Sequence, residues 1–589
     1  MHFQPRPVTH DDHNCGDHPL DFVPEVKPSD TNPDNHFALA SIGLYIASQL
    51  PTPGAPRNYK QAMRTPEAPL WQEAYDKEIS QLRERGTWRE CVTPPGARLI
   101  PSVTVCKEKK DKDGNVIGRK MRICAMGSRQ VQGRDYTDSY ASVCDASVLR
   151  GMMAFAAHHD MELEHADAVA AFLNPDLDQP VYMRFPAGYK PLDPNADCLQ
   201  VVKGLYGLPQ SGNLWQEMAT KALVSLQFSP IPQSDCLFQR DVGTPTQLRV
   251  ALYVDDMLGA GKTHALLDQF WDKLNEKFAI VKLGPVDHLL GMTIQRNRLT
   301  RTLFITQAPY VKEVLARFPH FDKTVGKHTP MPPSVDPHKP SAVITDPTRQ
   351  TEYKAIVGSL QWVAVISRPD IAYTAAWLGR YGSKPTEHHM TLALHCLSFL
   401  HHTVNWGYLL GGTGSISHLR AFSDSSYACD KSGSRQSTTG SVIMLGDSLV
   451  DWKSKRQRCV TKSTGEAEYV AGSETAADVS YWQQLLISFA HPTSLPSTLY
   501  IDNNSAVCMA TNGKISRAAR HIDVAYHFLK QFVRSGKLKV QQISTKDQIA
   551  DLFTKPLSPQ LHDMHRKRLR IGPIDELEKL SSPSSASSP

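Results

Sequence analysis

The chain has 589 residues, enough for about three or four domains with sizeable cores. Hydrophobic residues make up 41% and charged residues 21%, a balance expected of soluble globular protein rather than of a disordered or membrane chain. The net charge of +6, from 65 basic against 59 acidic side chains, is too mild to argue for a nucleic-acid partner without local evidence.

No apolar run reaches membrane-spanning length, and the start "MHFQPRPVTHDDHNCGDHPLDF" lacks a signal-peptide core. The eleven cysteines are scattered without a CxxC pair, which argues against a zinc knuckle or a disulfide scaffold and suits a reducing compartment. In chain order, residues 1–65 read as a flexible leader rich in Pro, Asp, Asn and His, with one apolar patch, "FALASIGLYIASQL". "WQEAYDKEISQLRERGTW", from Trp71, has helical spacing and stops at Gly86. A strand-rich zone runs to about residue 310, and a Pro-rich joint, "HTPMPPSVDPHKP", covers 328–340. A helical segment continues to about 410, strands and helices alternate over 418–557, and the Ser/Pro-rich "SSPSSASSP" closes the chain as an expected disordered end. Five segments follow: leader 1–65; strand-rich region 66–327; joint and helical connection 328–415; second region 416–557; basic, then disordered, tail 558–589.

Within the strand zone, "LRVALYVDDMLGA" places Asp255 and Asp256 side by side in an apolar run. Adjacent strand residues point to opposite faces, so both carboxylates cannot share one solvated side, and an unpaired buried carboxylate is costly. A hairpin turn explains the pair, although Asp-Gly or Asn-Gly would be the usual turn residues. A metal site at the hairpin explains it too, provided other carboxylates converge. Asp167 in "ELEHADAVAAFLNPDL" is a partner for such a site, or else a helix N-cap. Two divalent ions held by bridging carboxylates would suit phosphoryl transfer.

A second acidic set lies in the C-terminal third: Asp424 in "RAFSDSSYA", Glu468 in "STGEAEYVAG", Asp502 in "LYIDNNSA" and Asp551 in "DQIADLFTKPL". Asp424 and Asp502 end strand-like runs, and carboxylates meeting at the edge of an α/β sheet can hold two ions for phosphodiester hydrolysis. Asp551, nearest the end of that region, is expected on its least buried element. Residues 416–557 carry 17 Lys and Arg against 12 Asp and Glu, a net of +5 despite the acids. "DWKSKRQRCVTK" sets five cations beside Trp452, either a platform for a nucleic-acid backbone or a solvated basic loop.

Taken together, "YVDDM", "DAVAAFLNPDLDQPVYMRFPAGY", "KGLYGLPQSGNLW" and "GRKMRICAMGSRQVQGRDYTDSYASV" resemble the reverse transcriptase of copia-type LTR retrotransposons, and "GSLQWVAVISRPDIAY" resembles the segment that follows it. The resemblance covers roughly residues 58–557. It implies an α+β right-hand polymerase of fingers, palm and thumb followed by an α/β ribonuclease H-like domain. By that resemblance Asp167, Asp255 and Asp256 are palm metal ligands, and Asp424, Glu468, Asp502 and Asp551 are ribonuclease H ligands, each site taking two Mg²⁺ ions with Mn²⁺ able to substitute. Glu468 is chosen over Glu466 because its register matches the family.

The same resemblance makes Phe172 a steric gate against ribose, although a core aromatic has the same spacing. It puts Gln210 near nucleotide and template, and makes Lys120 and Arg122 triphosphate-neutralising cations, which bare sequence would read as a solvated basic strand. Departures from the family pattern stand at Met126, Pro175, Asn213 and Gly465. The implied partners are an RNA template, a DNA primer, RNA–DNA hybrids and deoxynucleoside triphosphates, with a dimer or element particle proteins as further partners. No membrane is implied, and the location is intracellular, in a cytoplasmic particle or the nucleus. The competing reading is a truncated or domesticated remnant that binds nucleic acid without catalysis.

Overall fold

The structure is a computed structural model that describes residues 56–110, 116–334, 336, 338–429, 434–511 and 527–580. Most of the expected leader, including its apolar patch, and the Ser/Pro-rich end 581–589 lie outside the described residues. The chain divides into two compact units, one gathering residues 56–139 and 176–211 and the other 140–175 and 212–580.

In the first unit, residues 56–65, read from sequence as part of the leader, are folded. Asn58 caps the short helix Tyr59–Ala62, and the Tyr59 ring lies 4.7 Å from that of Tyr75. The helix Ala68–Glu84 buries Trp71, Tyr75, Glu78, Ile79 and Leu82, a stripe with the spacing read from sequence, and Gly86 follows it at φ +63°. This helix covers the hairpin of Ser102–Lys110 and Val116–Ala125; the backbone N–H of Ile123 donates to Glu78 Oε1 at 3.4 Å. A three-stranded antiparallel sheet places Cys198–Lys203 between Trp88–Cys91 and Asp176–Arg184. The motif "GLYGLP" needs its second glycine because the Tyr206 carbonyl accepts from Ala125 at 2.8 Å. A Cβ on Gly207 would sit 2.2 Å from the Ala125 oxygen.

The second unit is built around the helix Ala146–His158, whose residues 146–157 are all buried. "ASVLRGMMAFAA" is apolar almost all round, the pattern of an enclosed helix. It packs on a six-stranded antiparallel sheet of order Ile280–Pro285, Glu162–Ala168, Asp256–Gly261, Leu248–Tyr253, Ser234–Arg240 and Ser229–Ile231, the palm expected from sequence. It also packs on Gly407–Gly411 and Ser448–Arg456. Four helices, Ala308–Arg317, Pro347–Ile366, Ala372–Gly379 and Glu387–His402, lie in the region after the palm. There "SRPDIAY" closes a buried pair: Arg368 donates to both Asp370 oxygens at 2.9 and 2.7 Å and to the Thr403 carbonyl.

The C-terminal sheet has order Ser448–Arg456, Thr438–Leu445, Leu419–Ser426, Ser497–Ile501, Leu538–Gln542. Its first three strands are antiparallel and the last two run parallel to the Leu419–Ser426 strand, with the helix Thr464–Ser488 against it. The sheet with its long helix gives this region the α/β character expected from its alternating strands and helices.

The palm and this sheet share one continuous buried core, from Cys144 to Ile571. Arg150 donates to the carbonyls of Val450 and Val365, both at 2.8 Å, and lies 3.8 Å over the Trp452 ring. Arg249 is wedged between Phe155 and Phe489 and donates to the Phe489 carbonyl at 2.7 Å. The Pro-rich joint therefore does not leave the two acidic regions separate.

Residues 559–580 are also folded, as helix Pro559–Arg568, strand Ile571–Gly572 paired with Gly407–Tyr408, and helix Ile574–Leu580. Their cations are held internally, Arg566 on Glu576 at 2.9 Å and Arg568 on Asp547 at 2.6 Å. Among the described residues no helix is long and apolar enough to cross a membrane.

Candidate active sites

The hairpin and the metal site, alternatives on sequence grounds, are the same object. Strand Leu248–Tyr253 ends one residue before a two-residue turn, Val254–Asp255, and Asp256 opens the return strand. Val254 takes φ +58°, a left-handed conformation costly for a β-branched side chain. The turn is pinned from outside: Trp215 Nε1 donates to the Val254 carbonyl at 2.6 Å, and the Asp255 carbonyl accepts from Ala168 at 2.9 Å.

Asp256 pairs directly with Asp167 across antiparallel strands, so their Cβ atoms are neighbours on one face. Asp167 lies within its strand and is not a helix cap. Asp255 is exposed, while Asp167 and Asp256 are half-buried. Burial, then the Asp255 and Asp167 carboxylates, push the Asp256 carboxyl up to about 7. Such mutual repulsion at an all-oxygen site is what a hard divalent cation relieves.

Phe172 sits in the 3₁₀ turn Ala171–Leu173 next to Asp167, half-buried against the core. Asn174 holds that turn, its Nδ2 donating to the carbonyls of Val169, Ala170 and Ala171 at 3.2–3.3 Å. A Cβ on Gly212 would come within 4.0 Å of the Phe172 ring, so "QSGNLW" leaves the ring room. Lys120 and Arg122 are exposed on the Val116–Ala125 strand of the first unit, Arg122 lying 5.1 Å over the Tyr206 ring. Gln210, also in that unit, is buried with its Oε1 accepting no hydrogen bond.

The second site is closed rather than presented. Asp424 is 2% exposed on its strand, Glu468 5% exposed on the long helix, and Asp502 half-buried just beyond Ser497–Ile501. One carboxylate oxygen from each lies within 4.8 Å of the others. Among the described residues this is the group gathered closely enough to hold a metal ion; the palm acids are not drawn to that separation. Glu468 Oε1 accepts from the Ser425 backbone and hydroxyl at 3.0 and 3.2 Å, while its Oε2 is buried without a hydrogen bond. Burial, then Asp424 and Asp502, push the Glu468 carboxyl up to about 9. Burial and Asp424 also raise the Asp502 carboxyl. An orphaned buried oxygen among crowded carboxylates fits a divalent cation. Glu466 instead accepts from the Lys462 backbone at 2.8 Å, while its own N–H donates to the Ser463 cap.

Asp551 departs from expectation. Its 3₁₀ element, Ile549–Phe553, is wholly buried, and Asp551 is 4% exposed. The apolar neighbours Ile549, Leu552 and Phe553 carry it inward, against the Thr438–Leu445 strand. It stands outside the close triad and is paired with Lys555 at 2.8 Å, whose ammonium also lies 3.7 Å from Asp424. Burial, then Asp424, push its carboxyl up to about 7 against that cation. Thr554 Oγ1 donates to Asp424 Oδ2, a contact that sequence reading missed; "DLFTKPL" supplies acid, hydroxyl and cation in five residues.

Trp452 is not a platform. It is 7% exposed, its Nε1 donates to Ala364 at 3.0 Å, and Arg150 covers its ring. Lys453 beside it pairs with Asp478 at 2.6 Å. Strand alternation could have revealed this, since Trp452 and Ser454 share the buried face while Lys453 and Lys455 take the other.

Residues 85–333 match the family described as reverse transcriptase (RNA-dependent DNA polymerase). The chain is 30% identical over 505 residues to the retrovirus-related Pol polyprotein from transposon TNT 1-94 of Nicotiana tabacum, covering 85% of this chain and 38% of that protein. It is 32% identical over 519 residues to the corresponding polyprotein from transposon RE1 of Arabidopsis thaliana, covering 87% and 34%. The chain thus spans little more than a third of the length of these relatives. A solved foamy viral protease-reverse transcriptase in complex with double-stranded DNA aligns over 80% of this chain and 70% of its own, at 9% identity and a TM-score of 0.41. Residues 85–333 thus carry the reverse transcriptase family match, and most of the chain is similar to part of the Pol polyproteins of two plant transposons.

Proposed function

We propose that the chain is a template-directed DNA polymerase that copies RNA, and DNA, into DNA, and that its C-terminal region cleaves the RNA strand of RNA–DNA hybrids. The observation that carries the polymerase reading is the direct pairing of Asp167 and Asp256 beside the strained Val254–Asp255 turn, inside the matched reverse transcriptase region. Asp167 and Asp255, with Asp256 in support, would hold two Mg²⁺ ions. These lower the pKa of a primer 3′-hydroxyl and neutralise the departing pyrophosphate when bound. The pinned turn fixes where Asp255 points before substrate arrives, which limits reorganisation during the reaction. Phe172, held by Asn174, would meet the sugar of the incoming nucleotide and exclude a 2′-hydroxyl. Lys120 and Arg122 would neutralise the triphosphate, and Gln210 would face nucleotide and template.

For hybrid cleavage, Asp424, Glu468 and Asp502 would hold the Mg²⁺ ions, with Glu468 Oε2 as a free ligand atom. Thr554 and Lys555 orient and balance Asp424, and Lys555 balances Asp551. Asp551 therefore acts at the margin of the site. Extension of oligo(dT) on poly(rA) with Mg²⁺, together with cleavage of a labelled RNA–DNA duplex, tests both halves. Neither product forming from folded protein would overturn the reading in favour of a non-catalytic binder.

A further inference from the structure

Two cysteines outside both acidic sites face each other in the first unit. Cys91 ends the strand Trp88–Cys91, Cys198 opens the strand Cys198–Lys203, and the two are direct cross-strand partners. Their sulfurs are 3.5 Å apart, and Cys198 Sγ also lies 3.5 Å from the Cys91 carbonyl. Among the described cysteines this is the pair in sulfur-to-sulfur contact. Cys106 and Cys124, on a neighbouring hairpin, are opposite Met121 and Val103 instead.

From this geometry we propose that Cys91 and Cys198 form a reversible oxidative modification site, closed to a disulfide by a low-molecular-weight disulfide of the glutathione type. Cys91 is half-buried while Cys198 is fully buried, so the order of events is fixed by access. The Cys91 thiolate, its proton passed to solvent, attacks one sulfur of the small disulfide. That bond breaks, one thiolate leaves, and a mixed disulfide stands on Cys91. Cys198, deprotonated in turn, attacks Cys91 Sγ and expels the second small thiolate. Two protein thiols are oxidised and one small disulfide is reduced to two thiols, so electrons balance.

Opposed strand residues have Cβ atoms about 4.5–5.5 Å apart, whereas a disulfide requires about 3.5–4.5 Å. The strands must draw together by about an ångström, and the strained bond formed is easily reduced. The link would span 107 residues and lock the edge strand Trp88–Cys91 to its sheet. Burial and the neighbouring Cys198 push the Cys91 thiol up to about 11, so closure is slow at neutral pH and speeds up as pH rises.

The full chain, folded and reduced, is incubated with glutathione disulfide at pH 7 and pH 8.5, digested without reductant and analysed by mass spectrometry. A peptide linking Cys91 to Cys198 is expected, about tenfold faster per pH unit and absent after dithiothreitol. In Cys198→Ser, glutathione is expected to remain on Cys91; in Cys91→Ser, Cys198 is expected to stay unmodified. A stable glutathione adduct on Cys91 of the wild-type chain with Cys198 still free, or no modification of either residue, would overturn the proposal. Serine keeps the volume and position of each side chain, and circular dichroism of both variants checks that they fold.

Discussion

Asp255 stands exposed on a two-residue turn, whereas Glu468 is 5% exposed with one carboxylate oxygen that accepts no hydrogen bond. Both belong to clusters of acids on a sheet, yet the palm cluster is presented by a strained hairpin and the second is enclosed between a strand and a long helix. The enclosed cluster carries its own cation and hydroxyl, Lys555 and Thr554, against Asp424. The palm triad is organised through backbone, by the Trp215 bond to Val254 and the Ala168 bond to Asp255. An exposed acid can be changed without disturbing packing, while a buried one is also part of the structure that holds it. This contrast separates the expected consequences of substitution.

The largest effect is expected from removing one acid of each cluster. Asp255→Asn should lower primer extension by about 10²–10⁴-fold, the range given by the several kcal/mol of charge stabilisation a bound metal supplies. Hybrid cleavage and the unfolding midpoint should stay near wild type, because the side chain is exposed. Asp424→Asn should eliminate cleavage and, being buried beside Lys555, should also lower the midpoint. Extension near the wild-type rate in Asp255→Asn would remove that residue from the metal site. Loss of both activities together would show that the two clusters are not separable by substitution.

Phe172 offers a smaller, purely selective effect. Phe172→Val should admit ribonucleotides, raising the ratio of GTP to dGTP incorporation on the order of tenfold or more, since an absent steric clash is worth about 1–3 kcal/mol. Unchanged discrimination would leave Phe172 as a packing residue against the core.

The gathering of Asp424, Glu468 and Asp502, the meeting of Asp167 with the Asp255–Asp256 hairpin and the glycine stop at Gly86 were legible because motif chemistry and hydrophobic spacing act locally. What was not legible depends on distant partners. Trp452 looked like an exposed aromatic among cations until Ala364 and Arg150, far away in sequence, closed over it. Asp551 looked peripheral because it lies late in the chain, yet its apolar neighbours draw it into the core. Residues 558–589 read as a basic, then disordered, tail, and only folding shows Arg566 and Arg568 paired with Glu576 and Asp547. The strain at Val254 had no sequence signal at all, since valine is a residue that turn preferences would exclude.

The shared core gives a way to blur the contrast between clusters. Gly151, on the central helix, is close to Trp482 on the helix that carries Glu468; a Cβ there would fall 2.6 Å from that ring. Gly151→Ala should therefore cost about 1–3 kcal/mol, read as a lower urea midpoint. Both activities should fall in parallel as the seam loosens. A fall in cleavage alone would mean that the palm keeps its geometry without the C-terminal sheet behind it.

The smallest expected effect, and the one that isolates electrostatics, is a gain in stability from Asp256→Asn in the presence of EDTA. The Asp256 carboxyl is raised to about 7 in the folded chain, against about 3.9 when unfolded. Between those values the folded state binds the extra proton, so stability falls as pH rises through that window, and the whole deficit is present above pH 7. Asparagine carries no charge and escapes it. The variant should match wild type at pH 4 and exceed it at pH 8 by about 1–2 kcal/mol, a discount on the full shift because the site is partly hydrated. Mg²⁺ should close the gap by stabilising wild type more than the variant, since a cation satisfies the repulsion that the substitution removes. Equal urea midpoints at pH 8 in EDTA would show that neither burial nor the neighbouring Asp255 and Asp167 carboxylates penalise the Asp256 charge in the folded chain. The exposed cluster would then lack the electrostatic tension that the buried one holds around Glu468.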